Sequence, residues 1–338
     1  MIDVLVAGGG PAGLATAIHA ALNGMEAVVV EPRPGPVDKA CGEGVMPGGV
    51  RSLRALGVHP AGRELRGIRY VDGPQMAQAH FRDGGGLGVR RTVLHDALAR
   101  RAAELGVRVL PGRVGDVRQG ARYVTAAGLT ARWLVAADGL HSPVRRAVGL
   151  DLPDRLPRRY GLRRHYRVPP WSELVEVYWS RYGEAYVTPV AGDLVGVAVL
   201  STARCDYGTH LARFPELAAR LGAGTAVGGV RGAGPLRQRV RGRTAGRVLL
   251  VGDAAGYVDA LTGEGIALAL ASADAAVRCL RSGRPGDYER AWRRLSRRHR
   301  LLTEALVRVS CRPGAARLVV PAASRMAPLF TAAVHALR

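Results

Sequence analysis

The N-terminal segment VLVAGGGPAGLATAIHAALNGMEAVVVEP, residues 4–32, constrains the fold more than any other part of the chain. Residues 3–7 are a short apolar run, which predicts a buried strand. A cluster of glycines follows at once, residues 11–23 have the composition of a helix, and residues 27–30 predict a second strand. This order of strand, glycine turn, helix and strand predicts a βαβ unit of the dinucleotide-binding type.

The glycines of this unit have separate functions. Gly8 permits the tight turn, Gly10 lets a pyrophosphate approach the backbone, and Gly13 lets the helix pack closely on the strand. The helix N-terminus then offers free N–H groups to the phosphates. Glu31 closes the second strand, where it can accept hydrogen bonds from a ribose hydroxyl pair. An acid at this place favours an unphosphorylated ribose, and therefore FAD or NAD rather than NADP.

Two more acids stand at the ends of predicted strands. One apolar run ends in Asp138-Gly139, and another ends in Gly252-Asp253 ahead of a helix predicted from Gly265 to Arg281. Either pair alone could cap an ordinary turn. Together with the N-terminal unit they form a constellation that favours FAD.

No second strand–GxGxxG–helix unit follows in the sequence. Residues 222–234, GAGTAVGGVRGAG, are rich in glycine but lack flanking elements, so we predict a loop there. A separate nicotinamide-binding domain is therefore not expected, and NAD(P)H would bind only transiently near the flavin.

With these motifs, the chain resembles the FAD-dependent oxidoreductases of the p-hydroxybenzoate-hydroxylase fold, and within them the geranylgeranyl-reductase family. The resemblance extends from residue 2 to about residue 280. It includes KACGEG at residues 39–44, the arginine of RxxLHxxL at Arg91, and GDAAGxxxxLTGEGI at residues 252–266.

The resemblance implies a set of FAD contacts. Gly8, Gly10 and Gly13 would hold the pyrophosphate together with Arg91, and Glu31 would bind the adenosine ribose. Other residues implied to lie at the cofactor are Pro11, Ala12, Pro32, Arg33, Cys41, Gly42, Gly139, Gly252 and Glu264.

Further roles follow from the same resemblance. Val114 would border the adenine, Asp138 would support its own loop, and Asp253 would bind a ribityl hydroxyl. Gly263, Gly265 and Ile266 would lie beside the pyrimidine edge of the flavin, where helix N–H groups stabilise negative charge.

The predicted fold class is α/β. It combines a Rossmann-type FAD-binding domain, an inserted and mainly antiparallel β-sheet substrate domain, and a helical C-terminal region. The FAD-binding parts are predicted at 1–75, 91–155 and 241–285. The substrate domain is predicted at 156–240 with an excursion at 76–90, and the C-terminal region at 286–338.

The middle of the chain is predicted to cover a substrate pocket above the flavin. Residues 160–200 alternate apolar and polar residues between turns, as antiparallel strands do. Geranylgeranyl reductases carry an aromatic-x-Trp-x-Phe-Pro stretch here, whereas this chain has Tyr186 and Thr188 in place of the Trp and Phe. The added hydroxyls favour a smaller, phenolic substrate. His165 and Tyr178 are further candidates for the pocket.

Cys41 is the candidate catalytic residue. Its place in the KACGEG stretch suggests a proton donor or a substrate contact beside the flavin, and the alternative is a small buried residue in a tight loop. The four cysteines are far apart in sequence, so neither disulfides nor a metal site is predicted.

The net charge of +22 is carried by arginine, since Lys39 is the only lysine. The arginines are spread along the chain, so we predict no nucleic-acid binding. No apolar run reaches the roughly 18 residues of a membrane span, and no leader precedes the first strand, so a cytoplasmic protein is expected. The apolar C-terminal segment could pack, cover the cavity or make peripheral membrane contact, and the oligomeric state is left open.

Three functions fit these observations. The favoured one is a monooxygenase that hydroxylates a small phenolic or polyketide-like metabolite with NAD(P)H and O₂. The alternative is an ene-reductase acting on an isoprenoid or other alkene, which KACGEG and LTGEGI support. An electron-transfer flavoprotein is the third.

Overall fold

The computed structural model describes residues 1–82, 84–154, 156–222 and 224–336. Its first sheet has the order β19–β20–β11–β1–β2–β8, with β10 and β9 continuing from β11 as antiparallel strands. The five strands from β20 to β8 are parallel, and their nearly continuous apolar sequence suits a sheet that is covered on both faces. Numbered in chain order, the strands of this sheet are β1 Ile2–Ala7, β2 Ala27–Glu31, β8 Arg108–Pro111, β9 Val117–Gln119, β10 Val124–Ala126, β11 Leu129–Ala136, β19 Thr244–Ala245 and β20 Val248–Leu250.

Helices α1 Pro11–Leu22, α3 Arg91–Glu104 and α7 Gly265–Arg281 pack together beside this sheet. Helix α1 begins with Pro11 at its first position, where a missing N–H costs nothing. The predicted βαβ unit is therefore confirmed, and so is the helix predicted from Gly265 to Arg281.

The second sheet has seven strands in the order β17–β13–β16–β15–β14–β5–β6, and every pair is antiparallel except β14–β5. Its strands are β5 Gly67–Asp72, β6 Gln75–His80, β13 Tyr160–Arg167, β14 Leu174–Ser180, β15 Gly183–Ala191, β16 Leu194–Ser201 and β17 Thr225–Ala233.

Two expectations differ from this arrangement. The excursion toward the substrate domain begins before residue 76, because β5 already belongs to the second sheet through its pairing with β14, about a hundred residues away.

The segment predicted as a loop at 222–234 contains strand β17. Glycines are tolerated there because β17 is an edge strand whose side chains are mostly exposed.

The two faces of the second sheet contact different things. One face packs on the short helices α5 Tyr207–Leu211 and α6 Pro215–Leu221. The other faces the first sheet and the C-terminal helices. Two small sheets lie at the edges: β3 Gly44–Val45, β7 Gly86–Gly88 and β4 Arg63–Leu65 form one, and β12 Asp151–Leu152 and β18 Arg239–Val240 form the other.

The remaining helices end the chain or connect the sheets. Helices α10 and α11 contact the edge strand β6. None of the helices in the described ranges has the length and hydropathy needed to cross a bilayer. The helices not yet given are α2 Pro47–Ala55, α4 Pro143–Ala147, α8 Tyr288–Ser310, α9 Pro313–Ala316, α10 Val319–Arg325 and α11 Ala327–His335, with 3₁₀ turns at Gly252–Ala255 and Pro285–Asp287.

Candidate active site

A cleft of about 800 Å³ lies between the two sheets and gathers most of the residues predicted to bind FAD. They come from three remote stretches of the chain, which meet because the carboxyl ends of parallel strands share one edge of a sheet. The predicted residues that line the cleft are Gly8, Gly10, Pro11, Ala12, Glu31, Pro32, Arg33, Cys41, Gly42, Arg91, Val114, Asp138, Gly139, Asp253, Gly263, Gly265 and Ile266.

The other three predicted residues support the cleft from behind. A Cβ on Gly13 would lie 1.8 Å from the carbonyl oxygen of Gly8, so only glycine permits this contact between α1 and the turn after β1. Gly252 has φ +57° and packs against Ala12. The carboxylate of Glu264 lies 2.8 Å from Nδ1 of His299 on α8, which anchors the N-terminus of α7.

Glu31 is buried and already organised as a hydrogen-bond acceptor. Its Oε2 accepts from the N–H of Gly9 at 2.7 Å, and its Oε1 accepts from Nε of Arg33 at 2.7 Å. Burial alone would raise the pKa of this carboxyl, but the hydrogen bonds from Arg33 and Gly9 hold it below 4.5. The carboxylate is therefore ionised at neutral pH, as an acceptor for ribose hydroxyls must be.

The cleft contains cationic groups suited to a pyrophosphate. Arg91 is buried, and its Nη1 has no hydrogen-bond partner within the described ranges. Burial lowers the pKa of Lys39. Burial also raises the pKa of Asp253, and the positive charges of Lys39 and Arg91 partly offset that rise. A buried guanidinium nitrogen without a partner is costly unless a ligand satisfies it. These residues fit the diphosphate and ribityl parts of FAD.

Asp138 holds the loop after β11. Its Oδ2 accepts from the N–H of Val144 at 3.0 Å, in the first turn of α4, and Ser142 caps the same helix by accepting from the N–H of Arg145. The predicted support of the Asp138-Gly139 loop thus has a definite geometry, in which the acid stabilises a short helix N-terminus.

A buried network that the sequence did not reveal fixes the KACGEG loop to the second sheet. Glu43 has φ +59°, which is unusual for a residue other than glycine, and its side chain is buried. Its carboxylate lies 2.7 Å from Nε2 of His165 and accepts from the N–H of Arg91 at 2.9 Å. Arg163, beside His165 on β13, reaches Asp38 and the carbonyl of Lys39.

This network determines the tautomer of His165. Nη1 of Arg163 lies 3.0 Å from Nδ1 of His165, and a guanidinium can only donate, so Nδ1 must be the acceptor. The proton is therefore on Nε2, which donates to Glu43. Both ring nitrogens are occupied and the ring is buried, so His165 acts as a positioning residue and does not line the predicted pocket.

The structure corrects the set of substrate-pocket residues. Tyr186 pairs with Val177 across β15 and β14, so the next residue, Tyr178, points to the opposite face of the sheet. The hydroxyl of Tyr178 donates to Glu176 on that far face. Only Tyr186 and Thr188 of the four predicted residues line the cleft.

The hydroxyls of Tyr186 and Thr188 are already engaged. Tyr186 Oη donates to the carbonyl of Leu261 at 3.0 Å, and Thr188 Oγ1 donates to the carbonyl of Gly42 at 2.8 Å. They hold the loops on either side of the flavin cleft in place. These two hydroxyls are therefore not free to bind a polar substrate, contrary to the expectation from the sequence.

A second cavity of about 520 Å³ adjoins the first. It lies between the second sheet and the helices α8, α10 and α11, and its walls are nearly all apolar. Met46, Val175, Tyr186 and Gly263 line both cavities, so the two are neighbours with shared walls. No local motif predicted this cavity, because its walls come singly from elements far apart in the sequence.

Comparisons with known proteins agree with this geometry. A family model described as an FAD binding domain matches residues 1–79. The menaquinone reductase of Mycolicibacterium smegmatis is 29% identical, covering 99% of this chain and 91% of its own. Digeranylgeranylglycerophospholipid reductase 1 of Methanothermobacter thermautotrophicus is 30% identical, covering 78% of this chain and 73% of its own.

The fold also occurs in a solved monooxygenase structure. The crystal structure of p-nitrophenol 4-monooxygenase from Pseudomonas putida superposes with a TM-score of 0.82 at 18% identity, covering 100% of this chain and 99% of its own. The common fold, the FAD cleft and the reductase relatives lead to one conclusion. The chain belongs to the family of FAD-dependent oxidoreductases that includes the digeranylgeranylglycerophospholipid and menaquinone reductases, and it is an FAD-dependent enzyme.

Proposed function

We propose that the enzyme reduces a carbon–carbon double bond in a long apolar chain of the isoprenoid type. The observation that carries this proposal is the apolar cavity of about 520 Å³ that shares four residues with the FAD cleft. A cavity with such walls offers almost no polar partner to a small phenol, whereas it matches the surface of an alkenyl chain. The relatives named for a lipid with geranylgeranyl chains support the same substrate class.

The reaction requires a hydride on one alkene carbon and a proton on the other. Reduced FAD supplies the hydride when it is bound, and the proton must come from the chain or from water. Cys41 lines the cleft, and burial raises the pKa of its thiol, so that the thiol stays protonated at neutral pH. We assign Cys41 Sγ as the proton donor. Arg91 and Arg163 favour the thiolate that the transfer leaves behind.

The other site residues position the reacting groups. Thr188 and the Glu43–His165 pair fix the loop that carries Cys41 from two sides. The N-terminus of α7 at Gly265 lines the cleft, where its dipole stabilises negative charge. The apolar helices exclude water from the alkene.

Hydroxylation of a phenolic or polyketide-like metabolite is the competing function. Its support from the sequence was the pair of hydroxyls on Tyr186 and Thr188, and both donate to backbone carbonyls. An electron-transfer flavoprotein would have no use for an apolar cavity beside the cofactor. We propose NAD(P)H as the transient reductant for the alkene reaction.

An anaerobic reoxidation assay tests the proposal. The FAD-loaded protein is reduced with dithionite and mixed with geranylgeraniol, or with the fully saturated alcohol of the same length as the matched control. We expect the oxidised-flavin absorbance at about 450 nm to return with the alkene alone. Oxygen uptake that a phenol stimulates, with no anaerobic reoxidation by the alkene, would contradict the proposal.

The role of Cys41 is tested in the same assay. Cys41→Ala is expected to slow reoxidation by the alkene by about 100-fold, the usual contribution of a positioned proton donor, while the bound flavin keeps its spectrum. Cys41→Ser, which retains a proton on the side chain, is expected to be less impaired. Equal rates for the wild type and Cys41→Ala would remove Cys41 from the mechanism.

A further inference from the structure

The C-terminal segment has an unusual combination of charge and hydropathy. Residues 305–338 contain five arginines and no aspartate or glutamate. Within this segment, helices α9, α10 and α11 close the apolar cavity on its outer side. A segment that combines arginines with apolar helices and has no acidic residue is typical of contact with a membrane surface.

Apolar side chains stand exposed at the mouth of the cavity. Leu318 is 64% exposed, Met326 is 48% exposed and Leu329 is 63% exposed, although all three also line the cavity. We call these three residues the apolar rim. Side chains that line a cavity and also face solvent lie at its opening, and a cluster of exposed large apolar residues marks an interaction site.

Arginines flank the apolar rim in the sequence and are exposed. Arg317 precedes Leu318, Arg325 precedes Met326, and Arg312 lies just before α9. Within the part of the chain that the structure describes, Arg312 and Arg325 have no carboxylate within 4.0 Å. Arg317 lies near Asp72. Burial raises the pKa of Asp72, and Arg317 partly offsets this rise.

We propose that this surface docks on an anionic phospholipid bilayer and that the long apolar substrate passes from the bilayer into the cavity. The apolar rim would enter the boundary between headgroups and acyl chains, and Arg312 and Arg325 would lie at lipid phosphates. The passage of substrate rests on the proposed function, whereas the docking does not.

Charge complementarity selects this occupant over a second copy of the chain. A symmetric dimer through the same surface would bring two sets of unpaired arginines together, and like charges across an interface oppose association. An anionic membrane supplies both the opposite charge and an apolar phase. It also holds the acyl-like molecules that match the walls of the cavity.

Vesicle co-sedimentation of the FAD-loaded full chain tests the proposal. One set of vesicles is phosphatidylcholine alone, and the other contains about one third phosphatidylglycerol, an anionic lipid. Neither contains an alkene substrate, so that binding is measured independently of any reaction. We expect binding to the anionic vesicles that weakens as salt rises, and at least about tenfold weaker binding to the neutral vesicles.

Two variants separate the apolar and the electrostatic contributions. Leu318→Ser with Leu329→Ser is expected to abolish sedimentation with vesicles. Arg312→Gln with Arg325→Gln is expected to weaken binding to anionic vesicles by about fivefold for each arginine and to leave binding to neutral vesicles unchanged.

Matched controls lie on the FAD-binding side of the molecule. Leu22→Ser with Val109→Ser removes two side chains that are 45% and 49% exposed, and Arg118→Gln with Arg122→Gln removes two exposed arginines. All four double variants should retain bound FAD, which their visible spectrum reports. The controls are expected to bind vesicles as the wild type does.

Three results would overturn the proposal. The first is that the wild type does not bind anionic vesicles. The second is that the control variants lose as much binding as the rim variant does. The third is that the wild type is a dimer in sedimentation equilibrium and that Leu318→Ser with Leu329→Ser makes it monomeric. The last result would assign the apolar rim to a second copy of the chain.

Discussion

The FAD cleft and the apolar cavity are neighbours, but they are built in different ways. The FAD cleft is formed by glycine turns, strand-end acids and a few buried cations, and these groups lie in three short motifs. The apolar cavity is formed by single side chains from three strands of the second sheet (β5, β14 and β15), from the loop before α7 and from the C-terminal helices. The cofactor is recognised by backbone geometry and charge, whereas the proposed substrate is recognised by shape and apolar area.

This difference explains what each cavity tolerates. A cofactor cleft that depends on backbone approach should fail when one atom is added at the wrong glycine. A cavity that depends on apolar area should instead change its selectivity when it is narrowed, while the cofactor stays bound. Four substitutions test whether cofactor binding and substrate selectivity can be changed independently in this way.

The largest effect is expected at Gly13. In Gly13→Ala the new Cβ would meet the carbonyl oxygen of Gly8 at 1.8 Å, which forces the helix away from the turn. Such a clash costs more than about 3 kcal/mol, and we expect no bound FAD in the visible spectrum of the purified protein. Gly115→Ala is the control, because nothing lies within 4 Å of its Cβ. A yellow Gly13→Ala protein would contradict the assigned role of the turn.

The next effect is expected at Ala322, which lines the apolar cavity on α10. Ala322→Phe should lower kcat/KM for a long alkene by about 100-fold, since a filled pocket excludes chain atoms. The FAD content should not change. Ala332→Phe on α11 is the control, because Ala332 is exposed and outside the cavity wall. Equal activity in both variants would show that the substrate does not use this cavity.

A smaller effect is expected at His165, which lies behind the cleft. His165→Leu removes the donor to the buried Glu43 carboxylate, and the loss should lower the free energy of unfolding by about 2 kcal/mol. Urea unfolding of the FAD-loaded protein measures this change. His165→Gln can still donate to Glu43 and should recover part of the stability. Equal stability of the Leu and Gln variants would show that the hydrogen bond to Glu43 does not stabilise the fold.

The smallest effect is a pH dependence at Glu31. Its folded-state pKa is below 4.5, so the stability that it contributes is complete above that value and is lost as pH falls through the lowered pKa. The difference in unfolding free energy between the wild type and Glu31→Gln should therefore shrink on acidification. A difference that stays constant from neutral pH to about pH 3 would contradict the sign of this shift.

The FAD cleft was largely predictable because each of its parts is local in the sequence. Gly8, Gly10, Gly13 and Glu31 fall within one βαβ unit, and Asp253 lies in the 3₁₀ turn just after strand β20. The side of the sheet on which Tyr178 lies was not predictable, because it depends on the register of β14 against β15. A one-residue error in that register exchanges the two faces of the strand.

The buried network and the apolar cavity were hidden for a related reason. Glu43 and His165 are 122 residues apart, and nothing in either local sequence indicates that they meet. The cavity walls are ordinary apolar residues, which have the same composition as any core. Only the tertiary structure shows which apolar side chains pack in the core and which line a cavity.

We propose that the FAD cleft and the apolar cavity serve one reaction, in which an alkene held by the apolar cavity is reduced at the cofactor cleft. The most direct measurement is the mass of the product after the FAD-loaded enzyme has been incubated in air with NAD(P)H and geranylgeraniol. We expect a product that has gained pairs of hydrogen atoms and no oxygen. A product that has gained an oxygen atom, or an unchanged alkene beside a hydroxylated phenol in a mixed incubation, would contradict it.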